Sequence, residues 1–413
     1  MARASSPDRK FSKDGSMSQR KLVYFDNNAT TRIAPEVVDA MLPFLTEHWG
    51  NPSSAYRFGN KVVKDIDTAR EQIAALINAD AKEIIFTSCG TESNNSAIQS
   101  ALLTQPGKKH VITTAVEHSA NIKFGKHLMA QGYDVTFLPV EPDGTMDLHR
   151  LELAIRPDTA MVSVMWANNE TGVLFPVEEI GALCRSRDVL FHTDAVQTPG
   201  KLAIDVKELD VDMLSLSAHK LNAPKGIGML YVRKRTKYVP YVIGGGQEKG
   251  RRGGTENVPY IIGFGKAAEL AAGHVEYENT KGRKLRDRLE QGILKNIPRT
   301  SRNGAREPRL PNTSNISFEG VEAEAILSLL DQAGVCASSG SACTTGSLTP
   351  SHVLTAMGLS SKRARSCVRF SLGIYNTEEE VDYVLNILPD IIAKLRAASP
   401  APVTKKAAAA VAA

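Results

Sequence analysis

The chain has 413 residues, 42% of them hydrophobic and 23% charged, a composition that suits a globular protein with room for more than one core. No apolar run approaches the roughly 20 residues that cross a bilayer. The net charge of +5 does not argue for nucleic acid: residues 1–21 hold six basic and two acidic residues, Lys405 and Lys406 lie in the tail, and a binding groove needs positive charge clustered on the folded body.

Residues 1–20 are polar and lack the apolar stretch of a secretory signal. The first clear element is "NKVVKDIDTAREQIAALINAD", where Val62, Val63, Ile66, Ala69, Ile73 and Ile77 recur at helical spacing. From Glu83 onward, "EIIFTS", "HVITTAVEH", "DVTFLPV", "AMVSVMWANN", "VLFHTDAVQ", "DMLSLSAHK" and "GIGMLYVRK" read as short, mostly buried strands. Helical stretches such as "PVEEIGALCRSRD" separate several of them, and this alternation predicts a mainly parallel α/β sheet. The character changes near residue 275. "EYENTKGRKLRDRLEQGIL" predicts one charged amphipathic helix, followed by "TSNISF", a helix over "EAEAILSLLDQAG", a polar loop, and "CVRFSLGIYNTEEEVDYVLNILPDIIAKL". This pattern suggests a second, smaller α+β unit. The alanine-rich tail has little to bury and is expected to be disordered.

Chemistry-bearing residues gather just after the predicted strands. In "TSCGTESNNSAI", Gly90 and Thr91 open a predicted helix, where free N–H groups and a hydroxyl suit either a phosphate or a plain cap. In "AVEHSAN", the ring of His118 can stack on a cofactor or carry a proton, or serve as an ordinary structural histidine. "WANNETG" places Asn168 and Asn169 at another strand tip. Asp194 and Gln197 in "FHTDAVQ" offer a carboxylate suited to a protonated pyridine nitrogen, or to a helix cap. "SLSAHKLNAPKG" brings Ser217, His219 and Lys220; a lysine at such a tip can form a Schiff base with a carbonyl. Several polar clusters at the carboxyl ends of successive apolar strands point to one ligand site, since open α/β sheets bind ligands at that edge.

Three further segments complete the set. The Gly- and Arg-rich "GGGQEKGRRGGTEN" carries Thr255, another candidate phosphate hydroxyl, and "CVRFSLG" carries Arg369, whose planar fork suits a carboxylate. "SSGSACTTGS" sets Cys343 among residues that cannot bury it, so packing does not explain the thiol. The five cysteines, Cys89, Cys184, Cys336, Cys343 and Cys367, are odd in number and include no CxxC pair, which disfavours a disulfide framework or a zinc site and fits a reducing cytoplasm.

Taken in order, "DNNATT", "GNPSS", "FTSCGTES", "VEHSA", "MWANNETG", "HTDAVQ", "SAHKLNAPKG", "RRGGTEN", "SSGSACTTGS" and "VRFSL" resemble the cysteine desulfurases of the class V, fold-type I pyridoxal phosphate enzymes, most closely the nitrogen-fixation type. The resemblance implies a large cofactor domain over 36–274 and a small α+β domain from 21–35 and 275–397, with 1–20 and 398–413 as disordered ends. It assigns Lys220 as the lysine that holds pyridoxal phosphate, His118 as the residue stacked on its ring, and Asp194 as the partner of its nitrogen. Gln197 and Asn169 are assigned to the ring's phenolic oxygen and the substrate, and Gly90, Thr91, Ser217 and His219 to the phosphate. Thr255 is assigned to the phosphate of a second subunit in a homodimer, Arg369 to the substrate carboxylate with help from Asn28, and Cys343 to sulfur acceptance. The implied reaction converts L-cysteine to L-alanine and leaves a persulfide. The implied acceptor is a U-type iron–sulfur scaffold serving nitrogenase cluster assembly, with Cys343 as a candidate transient cluster ligand. Rival readings are a selenocysteine lyase, a class V aminotransferase, which would not need Cys343, and a non-enzymatic thiol carrier, which would bind no cofactor.

Overall fold

The computed structural model describes residues 22–339 and 350–398; Cys343 lies outside them. In chain order the strands are β1 (Val23–Tyr24), β2 (Ile84–Thr87), β3 (His110–Thr114), β4 (Asp134–Leu138), β5 (Thr159–Ser163), β6 (Leu190–Asp194), β7 (Met213–Ser217), β8 (Gly228–Val232), β9 (Thr300–Asn303), β10 (Thr313–Phe318), β11 (Val335–Cys336) and β12 (Cys367–Ser371). The seven apolar runs form one sheet in the order β2-β8-β7-β6-β5-β3-β4. β4, β3, β5, β6 and β7 run parallel, and β8 is antiparallel to both β7 and β2.

The fully buried strands carry apolar residues on both faces because helices cover both. Alternate residues feed two separate cores. Phe86, Ile112, Val162, Leu214 and Met229 pack on one side with the helix Val63–Leu76. Ile85, Val111, Met161, Met213 and Leu230 pack on the other with the helices Gly90–Thr104 and Ser119–Ala130. β4 is the exception: at the sheet edge, four of its five residues are not fully buried.

A third core surrounds the antiparallel sheet β12-β10-β9. Ile316, Phe318, Val368 and Phe370 face the helices Arg283–Asn296 and Glu378–Ala398, while Val23 and Phe25 reach the same core from the other end of the chain. β1 pairs in parallel with β11, and Asp26 bridges to Ser371 at the end of β12. The start of the chain is therefore tied to residues more than 300 positions later.

One helix departs from its predicted form. The single helix expected across 276–294 is interrupted by a π-helical turn, Glu278–Gly282. That turn carries Glu278 inward, where burial pushes its carboxyl up to about 7 against the lowering pull of the equally buried Lys201. Gly282 leaves room for it, since a Cβ there would meet Glu278 Oε2 at 2.9 Å.

Candidate active site

Because β2 and β3 through β7 point the same way, the segments that follow β2, β3, β5, β6 and β7 emerge at one edge of the sheet. They enclose a cavity of about 600 Å³. At one end, the helix Gly90–Thr104 begins with no side-chain cap from Cys89, which leaves first-turn N–H groups for another acceptor. Gly90 and Thr91 line the cavity there with Ser217 and His219. A Cβ on Gly90 would lie 2.9 Å from Val196 Cγ2, so the glycine lets the helix start approach the tip of β6. His219 Nδ1 bonds Thr30 Oγ1 at 3.2 Å, and burial together with Lys220 and Lys225 pushes its ring down to about 4.

In the middle, Asp194 ends β6 as a buried carboxylate. Its Oδ1 accepts from the Val196 N–H at 3.1 Å and its Oδ2 from Asn94 Nδ2 at 2.6 Å. Gln197 donates to the Asn28 carbonyl at 3.0 Å, while its own Oε1 is buried without a partner. His118 caps the helix Ser119–Ala130, accepting the Ala120 N–H on Nδ1 at 3.2 Å. Burial holds its imidazole below the usual value; Asp194 pulls the other way, and Lys220 and His352 push it further down. Lys220 sits in the short turn after β7 and donates Nζ–H to the carbonyls of Asn28 and, at 2.8 Å, Ala29.

At the far end Arg369 rises from β12, 1% exposed. It donates to the Asn169 carbonyl at 2.9 Å and to Asp26 Oδ1 at 2.7 Å, and its Nε finds no partner. The Asn28 amide is occupied: Nδ2 donates to the Asn169 carbonyl and Thr313 Oγ1, and Oδ1 accepts from Asn312.

Eleven of the residues singled out in the sequence thus line one cavity: Asn28, Gly90, Thr91, His118, Asn169, Asp194, Gln197, Ser217, His219, Lys220 and Arg369. Thr255 is not among them and is exposed. Its loop is anchored nearby, for Arg252 pairs with Glu92 in the first turn of the helix that opens at Gly90. Asn168, next to Asn169 in sequence, does not line the cavity and organises the turn, its Oδ1 accepting the N–H groups of Glu170 and Thr171.

The sequence reading did not single out Asn94, Glu117, Glu170, Ser351 or His352. Asn94 lies one helical turn beyond Gly90, so i+4 spacing was an available signal. Glu117 had none: it is fully buried beside His118, accepts from Met165 N–H, Thr114 and Asn121, and is pushed up to about 8, chiefly by burial. Glu170, also raised by burial, accepts Ser351 Oγ–H at 2.5 Å. His352 bonds the Glu117 carbonyl at 2.8 Å, and all three of Glu170, Ser351 and His352 face the cavity.

The aminotransferase class-V family model matches residues 23–384. The chain belongs to the class-V aminotransferase family. A cysteine desulfurase of Trichormus azollae is 54% identical over 379 residues, covering 92% of this chain and 95% of the relative. Cysteine desulfurase NifS of Azotobacter vinelandii is 53% identical, covering 92% and 94%. Among solved structures, a NifS-like protein superposes with a TM-score of 0.85 at 38% identity, over 91% of this chain and 100% of that one. The mainly parallel α/β fold is the one this family implies.

Proposed function

We propose that this family member is a pyridoxal-phosphate-dependent cysteine desulfurase that converts L-cysteine to L-alanine and retains the sulfur as a persulfide on Cys343. The donor set supports the cofactor. An amine, a buried carboxylate, a neutral imidazole and an uncapped helix start converge on one cavity, and Gln197 Oε1 and Asn94 Oδ1 are buried with no partner among the described residues. Buried polar atoms are seldom left orphaned, so a polar guest belongs there.

Lys220 would anchor the cofactor covalently, His118 would cover its ring, and Gly90, Thr91, Ser217 and His219 would hold its phosphate. Bound pyridoxal phosphate supplies an electron sink conjugated to the substrate's Cα. Asp194, fixed by Val196 and Asn94, would pair with the ring nitrogen and favour its protonated form. Gln197 and Asn169 would serve the ring's phenolic oxygen and the substrate, and Asn28 would help Arg369 at the substrate carboxylate. Arg369 takes the substrate carboxylate. The Lys220 amine would serve as the base that takes the substrate's Cα proton. The Cys343 thiolate would attack the substrate sulfur: an S–S bond forms, the Cβ–S bond breaks, its electron pair stays with the carbon skeleton, Cβ takes up a proton, and Cα regains the proton held by Lys220. The balance is L-cysteine plus Cys343–SH to L-alanine plus Cys343–S–SH.

The observation that carries the reading is that Lys220, Asp194 and Arg369 line one cavity in a chain 54% identical to a cysteine desulfurase. The homodimer, the cytoplasmic location, the U-type scaffold as acceptor, the nitrogenase role and transient cluster ligation by Cys343 follow from the same family reading.

The test is mass spectrometry of the cofactor-loaded enzyme after one addition of L-cysteine. Wild type and Cys89→Ala should gain one sulfur and release alanine; Cys89 is the control because its side of the helix start lines the cavity. Cys343→Ala should stay yellow yet do neither. A sulfur adduct and alanine from Cys343→Ala would overturn the proposal.

A further inference from the structure

Arg369 does not reach the cavity alone. Its guanidinium is buried, and the carboxylate that meets it is Asp26, with Oδ1 2.7 Å from Nη2 and side-chain exposures of 2% and 17% for the arginine and the aspartate. The other terminal nitrogen donates to the Asn169 carbonyl at 2.9 Å. These two bonds hold opposite arms of the fork and fix its plane, while the Nε–H, also buried, has no acceptor among the described residues. Asp26 is itself held firmly. Its residue bridges to Ser371, two positions beyond Arg369 on β12. The Asn27 N–H donates to the Ser371 carbonyl at 3.0 Å, and the Ala29 N–H donates to the Asp26 carbonyl at 3.0 Å.

We infer that Asp26 is a positioning residue for substrate: it orients Arg369 so that the unused guanidinium N–H groups face the cavity and receive the carboxylate of the incoming amino acid. The inference rests on the reading of Arg369 as the carboxylate grip. Two features of the site favour orientation over mere neutralisation. A flexible arginine would lose rotamer freedom on each binding event, and a fork held in advance does not. The same backbone that places Asp26 also places the Asn28 and Ala29 carbonyls that hold Lys220. The amine end and the carboxylate end of the substrate site are thereby set by one short segment, residues 26–29, and the distance between them is fixed by local chain geometry.

The experiment titrates the cofactor-loaded enzyme, by its absorbance change, with L-cysteine and with cysteamine, which has the same thiol and amine but no carboxylate. Asp26→Ala should weaken L-cysteine about tenfold or more, as expected for a lost charge-assisted geometry, and leave cysteamine within about twofold. Asp26→Glu keeps the counter-charge, so folding is protected, but its extra methylene moves the oxygen and displaces the fork; cysteine should weaken about threefold or more, again without change for cysteamine. Steady-state rates should show the loss in KM more than in kcat. Arg369→Ala separates the two claims. If it leaves cysteine binding unchanged, the reading of Arg369 fails. If it weakens cysteine while folded Asp26 variants bind as wild type, or if those variants lose cysteamine equally, the inference about Asp26 is overturned.

Discussion

At the scale of single residues, the site works by holding each polar group with a second one. Lys220 is held by two backbone carbonyls, and among the described residues the cavity lining contains no other lysine. Lys220→Ala is expected to abolish alanine formation, measured by amino-acid analysis after incubation with L-cysteine; retained alanine would remove Lys220 from its assigned role. Asn94 tests the support beneath Asp194. Its 2.6 Å bond to Oδ2 is charge-assisted, a class worth about 1.5–3 kcal/mol. Asn94→Ala should therefore weaken cofactor binding about tenfold or more in equilibrium dialysis, while wild-type affinity would show that the Val196 N–H alone holds Asp194. Lys220, Asp194 and His118 were legible in the sequence because each follows an apolar strand. Glu117 was not, because a glutamate at the end of an apolar run reads as the point where the chain turns to solvent, and only packing reveals that it is buried.

At the scale of elements, the middle of the large sheet carries an ionisable ring. His192 lies within β6, fully buried, with Ser163 of β5 and Ser215 of β7 each 2.8 Å from one of its ring nitrogens. Burial pushes its pKa down to about 3, whereas the unfolded chain takes that proton at about 6.5. Between those values the unfolded state binds more protons, so stability falls as the pH is lowered through the window. From pH 7 to pH 5 this one ring should remove about 2 kcal/mol. Glu117 has the opposite sign, its raised carboxyl favouring the fold at low pH, so the comparison must be made against wild type at each pH. In urea unfolding, His192→Asn should lose about 2 kcal/mol less than wild type between pH 7 and pH 5; equal losses would mean that His192 is already charged in the fold. The same scale explains the π-turn at Glu278–Gly282. Helical periodicity predicts amphipathic register, but it does not anticipate a buried lysine elsewhere that draws one carboxyl inward.

At the scale of the whole molecule, Thr255 poses the remaining question, since it lies exposed outside its own chain's cavity. If it serves the site of a second copy, inactive chains should complement one another. Lys220→Ala and Thr255→Ala homodimers should each be impaired. In a mixed dimer, one site keeps its own Lys220 and receives an intact Thr255 from the other chain. Co-expression followed by tandem affinity purification should therefore restore about half of the wild-type activity per dimer, given one intact site of two. No recovery above the Thr255→Ala homodimer would place Thr255 outside any shared site.

The sequence by itself determined the sheet and its binding edge. Runs such as "AMVSVM" and "GMLYV" are apolar at successive positions, are short and alternate with helical stretches, as strands covered on both faces do, and the polar residues after them fall at strand ends. The motif order also determined the family. Tertiary structure alone decided the pairings that aim those residues: Asp26 against Arg369, Asn94 against Asp194, Asn28 and Ala29 against Lys220. Asp26 and Arg369 lie 343 residues apart. Local propensity carries no information over that distance, because the contact exists only once β12 and the first segment share an edge and a core.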